Sequence, residues 1–264
     1  MRENPHMSTA PVDQALEWIH EAGEVTQAHF RSSELHVGSK SDGSPVTVAD
    51  RDAEHLLRER IAEAFPADGI IGEEHDDREG SSGRQWIIDP IDGTRAFSHG
   101  VATYSNLLAL TDDDGPLLGI INLPALGETV WAVRGEGCWF NGERVSGGPP
   151  ALPGEQRVLC VSGFHDWSPE MFAAAHDANV ALRTWGDAYG YALVATSRAH
   201  AMFDPQLEWW DLAAPLLVIQ ESGAMITRRD GGEDLAARSH DGPYALSAIA
   251  SNDGNHSFWV DLLA

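Results

Sequence analysis

Trp86-Ile87-Ile88-Asp89-Pro90-Ile91-Asp92-Gly93-Thr94, preceded at a short distance by Gly72-Glu73-Glu74, is the stretch from which this chain is best read. Trp86 to Ile88 is an apolar run that predicts a buried strand, ending in a turn forced by Pro90 and Gly93. That turn receives two carboxylates, Asp89 and Asp92, three residues apart. On a tight turn the two can converge on one point. Converging carboxylates repel one another unless cations lie between them, and an all-oxygen donor set suits a hard cation such as Mg²⁺. The plain alternative is that Asp-Pro and Asp-Gly are ordinary turn dipeptides whose acids face water. Further acids at Asp50, Glu73 and Asp211 weigh against it.

Composition narrows the field before chemistry does. At 264 residues, 42% of them hydrophobic and nine of them Trp, the chain can bury a large core as one domain or two. A formal net charge of −24 argues against nucleic acid or an anionic membrane as partner, because both require a basic face. An anionic substrate is equally awkward, unless bound cations reverse the local sign. The only cysteines, Cys138 and Cys160, have no metal-ligand spacing and suggest no disulfide framework, which fits a reducing cytoplasm. No apolar stretch has the length of a membrane span, and Met1 to Met7 holds no apolar signal core. His6-Met7 reads as a junction, with Met7 the expected native start.

Helical spacing of Val12, Leu16, Ile19, Ala22 and Val25 predicts a helix over Val12–Phe30, and Ala53, Leu56, Leu57, Ile61, Ala64 and Phe65 a second over Val48–Phe65. Strands are expected at Gly69–Gly72, Gln85–Ile88, Ser105–Thr111, Leu117–Leu123 and Thr129–Val133. Asp112-Asp113-Asp114-Gly115-Pro116 is the turn of an antiparallel pair, and Asn141-Gly142 that of a small hairpin. The Pro/Gly-rich run Gly147 to Gly154 divides an N-terminal α+β half, 7–146, from a C-terminal half, 156–264. In the latter, strands at Arg157–Val161, Val180–Thr184, Ala201–Phe203 and Ala224–Thr227 alternate with helices after Trp167, from Asp187 and after Asp211. That alternation predicts a mostly parallel α/β layer.

Each acid has a structural reading beside its chemical one. Asp50 stands at capping-box spacing from Thr47, Glu73 and Glu74 at a strand end, and Asp211 where a helix N-cap is expected. The start of the helix at Asp211 also suits a phosphate, through its partial positive charge. Five acids at strand ends and helix starts fit a multi-metal site better than five unrelated caps. Thr94 adds a hydroxyl that can position a water or bind a phosphate oxygen. Such a site is built to hydrolyse phosphate esters, the cations activating water and neutralising the phosphoryl oxygens.

Taken together, Gly72-Glu73-Glu74, Asp89-Pro90-Ile91-Asp92-Gly93-Thr94, Trp210-Asp211-Leu212-Ala213-Ala214, Ser44 to Asp50 and Ala248 to Asn252 resemble the signature motifs of the inositol monophosphatase superfamily, in order over residues 40–252. The resemblance implies an αβαβα five-layer sandwich of the inositol monophosphatase/fructose bisphosphatase type. It further implies a lithium-sensitive, dimeric phosphomonoesterase using two or three Mg²⁺. Glu73, Asp89 and the Ile91 carbonyl are then ligands of the first metal and Asp89, Asp92 and Asp211 of the second. Glu73 holds the third with Asp50 nearby, Thr94 with Asp50 or Glu73 activates water, and Lys40 matches a family lysine close to the metals.

Within the superfamily, Thr94-Arg95-Ala96-Phe97 and Trp185-Gly186-Asp187-Ala188-Tyr189-Gly190-Tyr191 most resemble histidinol-phosphate phosphatases. Asp92, Gly93, Thr94, Arg95, Gly186, Asp187, Asp204 and Asp211 are the expected substrate-binding residues. Histidinol phosphate carries an ammonium and an imidazole, so acids such as Asp187 and Asp204 beside its leaving group make physical sense. The structural alternative for Asp187 is a helix N-cap, and Trp185, Tyr189 and Tyr191 are expected in a core or an interface. An inositol-1-phosphate, sugar-phosphate or bisphosphate-nucleotide phosphatase is the alternative activity. An idle metal-binding or phosphosugar-binding member is the alternative outside enzymes, but none of the metal acids is missing.

Overall fold

The computed structural model describes residues 10–33, 35–40, 45–145, 147–150, 156–235 and 246–264. Met7, Ser44 and the 151–155 part of the connector lie outside the described residues. Along the chain, α1 (Val12–His29) leads through the hairpin β1 (Val37–Ser39) and β2 (Pro45–Thr47) into α2 (Val48–Ala64). There follow β3 (Gly69–Gly72), β4 (Gln85–Asp92), the short α3 (Thr94–Ser98), β5 (Ser105–Asp112), β6 (Gly115–Leu123), β7 (Glu128–Val133), β8 (Gly137–Phe140) and β9 (Glu143–Arg144). The later part runs β10 (Arg157–Val161), α4 (Pro169–Asp177), β11 (Val180–Arg183), α5 (Asp187–Ala195), β12 (Ala201–Leu207) and α6 (Trp209–Glu221). It closes with β13 (Met225–Thr227), β14 (Leu246–Ser251) and α7 (His256–Leu263).

These elements stack in five layers. Strands β3 to β9 form a seven-stranded sheet in sequence order, and β11-β10-β12-β14-β13 a five-stranded one. Helices α1 and α2 cover the outer face of the first sheet, α4 and α7 that of the second, and α5 and α6 lie between them. The αβαβα sandwich expected from the sequence is therefore the fold. In the second sheet only β14 runs against the others, so that layer is mostly parallel.

The apolar pattern explains the layering. Ala15, Trp18, Ile19 and Ala22 of α1 and Ala53, Leu57 and Ile61 of α2 form stripes of helical period, buried against Trp86, Ile88, Leu108 and Ile120 of the sheet. The opposite face of the same strands, with Ile87, Leu107 and Ile121, buries Tyr191, Leu212, Leu216 and Ile219 of the middle helices. The α1 stripe is rotated from the expected one, since Trp18 is buried while Val12, Leu16 and Val25 are only partly covered, and Ala64 at the end of α2 is exposed. Strand β6 allows α6 an unusually close approach, because a Cβ at Gly119 would stand 2.7 Å from the Ala214 carbonyl oxygen.

Candidate active site

The expected turn at Pro90 is instead a β-bulge inside a longer strand. Asp89 pairs with Leu107 and Asp92 with Ser105, so three steps along β4 match two along β5. On a regular strand, residues three apart point to opposite faces; the extra residue cancels that alternation and turns both carboxylates to one side. Pro90 is tolerated at the irregularity, where a ladder N–H is not required. Its carbonyl accepts from Asn106 Nδ2 at 2.6 Å. Gly93, with φ +77°, then turns the chain into α3.

Asp211 joins the pair from α6. The expected N-cap role belongs to Glu208, and Asp211 is the third helical residue, its Oδ2 accepting from the Glu208 N–H at 2.7 Å. One carboxylate oxygen therefore closes the capping box and the other is left for the cleft. Oxygens of Asp89, Asp92 and Asp211 all lie within 4.8 Å of one another. Asp92 Oδ2 is fixed by Ser105 Oγ at 2.7 Å and the Ala188 N–H at 2.8 Å. Asp89 Oδ1 is buried and receives no hydrogen bond. Burial, and then the charges of Glu73, Asp92 and Asp211, push the Asp89 carboxyl well above its usual range. Asp92 is raised by burial and by Asp187 and Asp211, and Asp211 by burial and Glu73. A buried, mutually repelling all-oxygen set with one acceptor unsatisfied fits a hard cation.

Glu73 and Glu74 are not a solvated strand end. Lys40 Nζ lies 2.6 Å from Glu73 Oε1 and 2.5 Å from Glu74 Oε1, bridging the two. Burial raises Glu73, against the pull of Lys40. For Lys40 burial is again the largest single influence and disfavours its charge, but Glu73 and Glu74 together outweigh it and hold the ammonium charged. Beneath this loop sits Glu54, a fully buried acid that the sequence reading missed. Its Oε2 accepts from the Glu74 N–H at 2.7 Å and its Oε1 from Arg58 Nε at 2.6 Å. A Cβ at Gly72 would stand 2.1 Å from Glu54 Oε1, so the glycine is what allows the contact. The visible signal was the i, i+4 spacing of Asp50 and Glu54 on one face of α2.

Asp50 completes the expected cap and also reaches Thr94. Its Oδ2 accepts from the Thr47 N–H at 2.8 Å and hydroxyl at 2.5 Å, completing the α2 capping box. Its Oδ1 lies 3.5 Å from Thr94 Oγ1. The Thr94 hydroxyl also reaches the Ile91 carbonyl at 2.9 Å, so Asp50, Ile91 and Thr94 meet at the start of α3. Burial raises the Asp50 carboxyl, with the Thr47 bonds opposing.

Asp187 does not cap α5. Gly186 is the N-cap and makes no side-chain bond, whereas Asp187 is the first helical residue, with φ +54°. Its carboxylate projects over Gly93, where an added Cβ would lie 3.0 Å from Asp187 Oδ2. Burial raises Asp187, while Ser162 and the exposed Arg95 hold it down. Asp204, on β12, is 5% exposed, and its Oδ2 accepts from Ser162 Oγ at 2.8 Å. Burial, assisted by Asp187 and Asp92, pushes the Asp204 carboxyl up to about 8. Asp204 thus stands behind Ser162 rather than at the mouth of the cleft. Tyr191 is buried in the core, and Trp185 is 43% exposed.

Acids that repel one another at the edge of a helix-covered sheet, in this five-layer sandwich, define a class of phosphoric monoester hydrolases, and this protein is one of them. It belongs to the inositol monophosphatase family: the model described as "Inositol monophosphatase family" matches residues 8–257. Among relatives, it is 40% identical over 218 residues to a histidinol-phosphatase of Chlorobaculum parvum, covering 81% of this chain and 84% of that one. It is 35% identical to a histidinol-phosphatase of Mycobacterium tuberculosis, over 90% of this chain and 92% of the relative. A solved structure of a Thermotoga maritima IMPase superposes with a TM-score of 0.82 at 27% identity, over 96% of each chain.

Proposed function

We propose that the protein hydrolyses L-histidinol phosphate to L-histidinol and phosphate, with two or three Mg²⁺ held by its acids. The observation that carries this reading is Asp187, which stands over Gly93 beside Arg95 instead of capping its helix. A cationic leaving group rewards a carboxylate there; a neutral polyol does not. The names of the two histidinol-phosphatase relatives support the same substrate.

Glu73, Asp89 and the Ile91 carbonyl are the proposed ligands of one Mg²⁺, Asp89, Asp92 and Asp211 of a second, and Glu73 of a third. When bound, Mg²⁺ supplies Lewis acidity that lowers the pKa of water and neutralises phosphoryl charge. The chain's own residues do the rest. Thr94, with Asp50 or Glu73, orients the attacking water and takes its proton, because hydroxyl and carboxylate meet at the start of α3. The backbone at Gly93 and Thr94, with the Arg95 side chain, holds the phosphate. Gly186, Asp187 and Asp211 border the leaving group, with Asp204 behind Ser162. The same proposal takes the protein as a cytoplasmic homodimer with functional halves 7–146 and 156–264; its two cysteines are free and buried, which agrees with a reducing compartment.

Phosphate release with Mg²⁺ over histidinol phosphate, inositol 1-phosphate, fructose 1,6-bisphosphate and adenosine 3′,5′-bisphosphate tests the reading directly. The highest kcat/KM is expected for histidinol phosphate; a preference for inositol 1-phosphate overturns the substrate and leaves the family untouched. Asp187→Asn is the sharper probe, since asparagine tolerates the left-handed backbone that alanine does not. It is expected to lower kcat/KM for histidinol phosphate by roughly tenfold to a hundredfold, the size of one charge-assisted contact, and to spare inositol 1-phosphate. Equal losses on both substrates return Asp187 to a purely structural role. Lithium at millimolar concentration is expected to inhibit by competing for one Mg²⁺ position, read as inhibition that falls as Mg²⁺ is raised; indifference to lithium removes that assignment.

A further inference from the structure

β10 and β11 are parallel neighbours, so their C-terminal ends open on the same edge of the sheet. Ser162 is the first residue beyond β10, and Gly186-Asp187 follows β11. The Ser162 hydroxyl donates to Asp204 Oδ2 at 2.8 Å and accepts the Asp187 backbone N–H at 2.9 Å. One hydroxyl therefore ties the end of β10 to β12 and to the start of α5. Gly186 makes the junction possible, because a Cβ there would stand 2.2 Å from Ser162 Cα. At the far side of the junction, Asp187 holds φ +54°, a left-handed conformation that most non-glycine residues avoid and that aspartate and asparagine tolerate best.

Asp204 is buried, its Oδ2 accepting from Ser162 and its Oδ1 from the Gln206 N–H at 3.4 Å, so it stands behind Ser162. We propose that Ser162, anchored by Asp204, is a positioning residue that sets substrate preference by fixing Asp187 over the leaving-group side of the site. The proposal rests on the reading above in which Asp187 faces a cationic leaving group. Removing the hydroxyl frees the Asp187 N–H, lets its backbone leave the left-handed region and swings the carboxylate away from Gly93. The movement starts one residue before Ala188, whose N–H holds Asp92 Oδ2, and takes the carboxylate from beside Gly93 and Arg95. Inositol 1-phosphate turnover is therefore the control for any disturbance of metal or phosphate binding.

The readout is a ratio: kcat/KM for histidinol phosphate divided by that for inositol 1-phosphate, with Mg²⁺ saturating. Ser162→Ala is expected to lower the ratio about tenfold, mainly through KM for histidinol phosphate, and Ser162→Thr, which restores a hydroxyl, to recover most of it. In an Asp187→Asn background, Ser162→Ala is expected to leave the ratio unchanged, because the carboxylate it positions is gone. Equal losses on both substrates, or an undiminished effect in the Asp187→Asn background, overturn the proposal. Wild-type preference for inositol 1-phosphate defeats the substrate reading instead, and the positioning claim is then decided by crystal structures. Asp187 φ is expected near +54° in wild type and outside the left-handed region in Ser162→Ala; an unchanged φ sinks the claim. Thermal melting of each variant separates these results from a failure to fold.

Discussion

Asp92→Asn is expected to cut turnover at saturating Mg²⁺ by about a thousandfold or more, a loss of roughly 4 kcal/mol in transition-state stabilisation, while the protein stays folded. The geometry explains why the two effects separate. Asp92 Oδ2 serves the structure, accepting from Ser105 and Ala188. An asparagine whose carbonyl oxygen takes that place keeps both bonds. Its NH₂ then faces the cluster, presenting a donor where a cation needs an acceptor. Removing one charge also relieves repulsion from Asp187 and Asp211, so the metal-free variant is expected to melt no lower than the metal-free wild type. Near-normal turnover in Asp92→Asn removes Asp92 from the catalytic set.

Chelation is the second large effect. Dialysis against EDTA is expected to reduce phosphate release to background, and Mg²⁺ to restore it. Burial first, and then the charges of neighbouring acids, raise the Asp89, Asp92 and Asp211 carboxyls, which means that their charged forms are costly there without cations. Removing the cations therefore takes away both the charge that attracts the phosphate and the activation of water. Phosphate release at the normal rate from the chelated protein is the result that ends the metal-ion reading.

Much of this was legible because acids at strand ends and helix starts are spaced by rules that sequence displays. The two opening helices, the buried strand at Trp86 and the hairpin at Asp112 to Pro116 follow from apolar period and turn chemistry, and all are present. The convergence of Asp89 and Asp92 was foreseen, but for the wrong local reason. Sequence spelled a turn at Pro90, whereas pairing with β5 keeps the strand going and absorbs the irregularity as a bulge. Asp211 and Asp187 show the same limit. Each sits one or more positions away from the cap expected of it, because helix starts are decided by tertiary contacts that propensity does not encode. Glu54 escaped notice because its only signal was the i, i+4 spacing from Asp50, and Ser162 because a lone serine carries none until the chain closes around it.

The ammonium of Lys40 between Glu73 and Glu74 bears on the order of assembly. Where an acidic centre depends wholly on dissolved ions for its counter-charge, folding and ion uptake become a single event, and the empty chain does not hold its shape. Here part of the counter-charge is covalently attached and arrives with the polypeptide. Newly synthesised protein is therefore expected to close its sandwich before it takes up cations, a separation that chelated protein shows by keeping its fold.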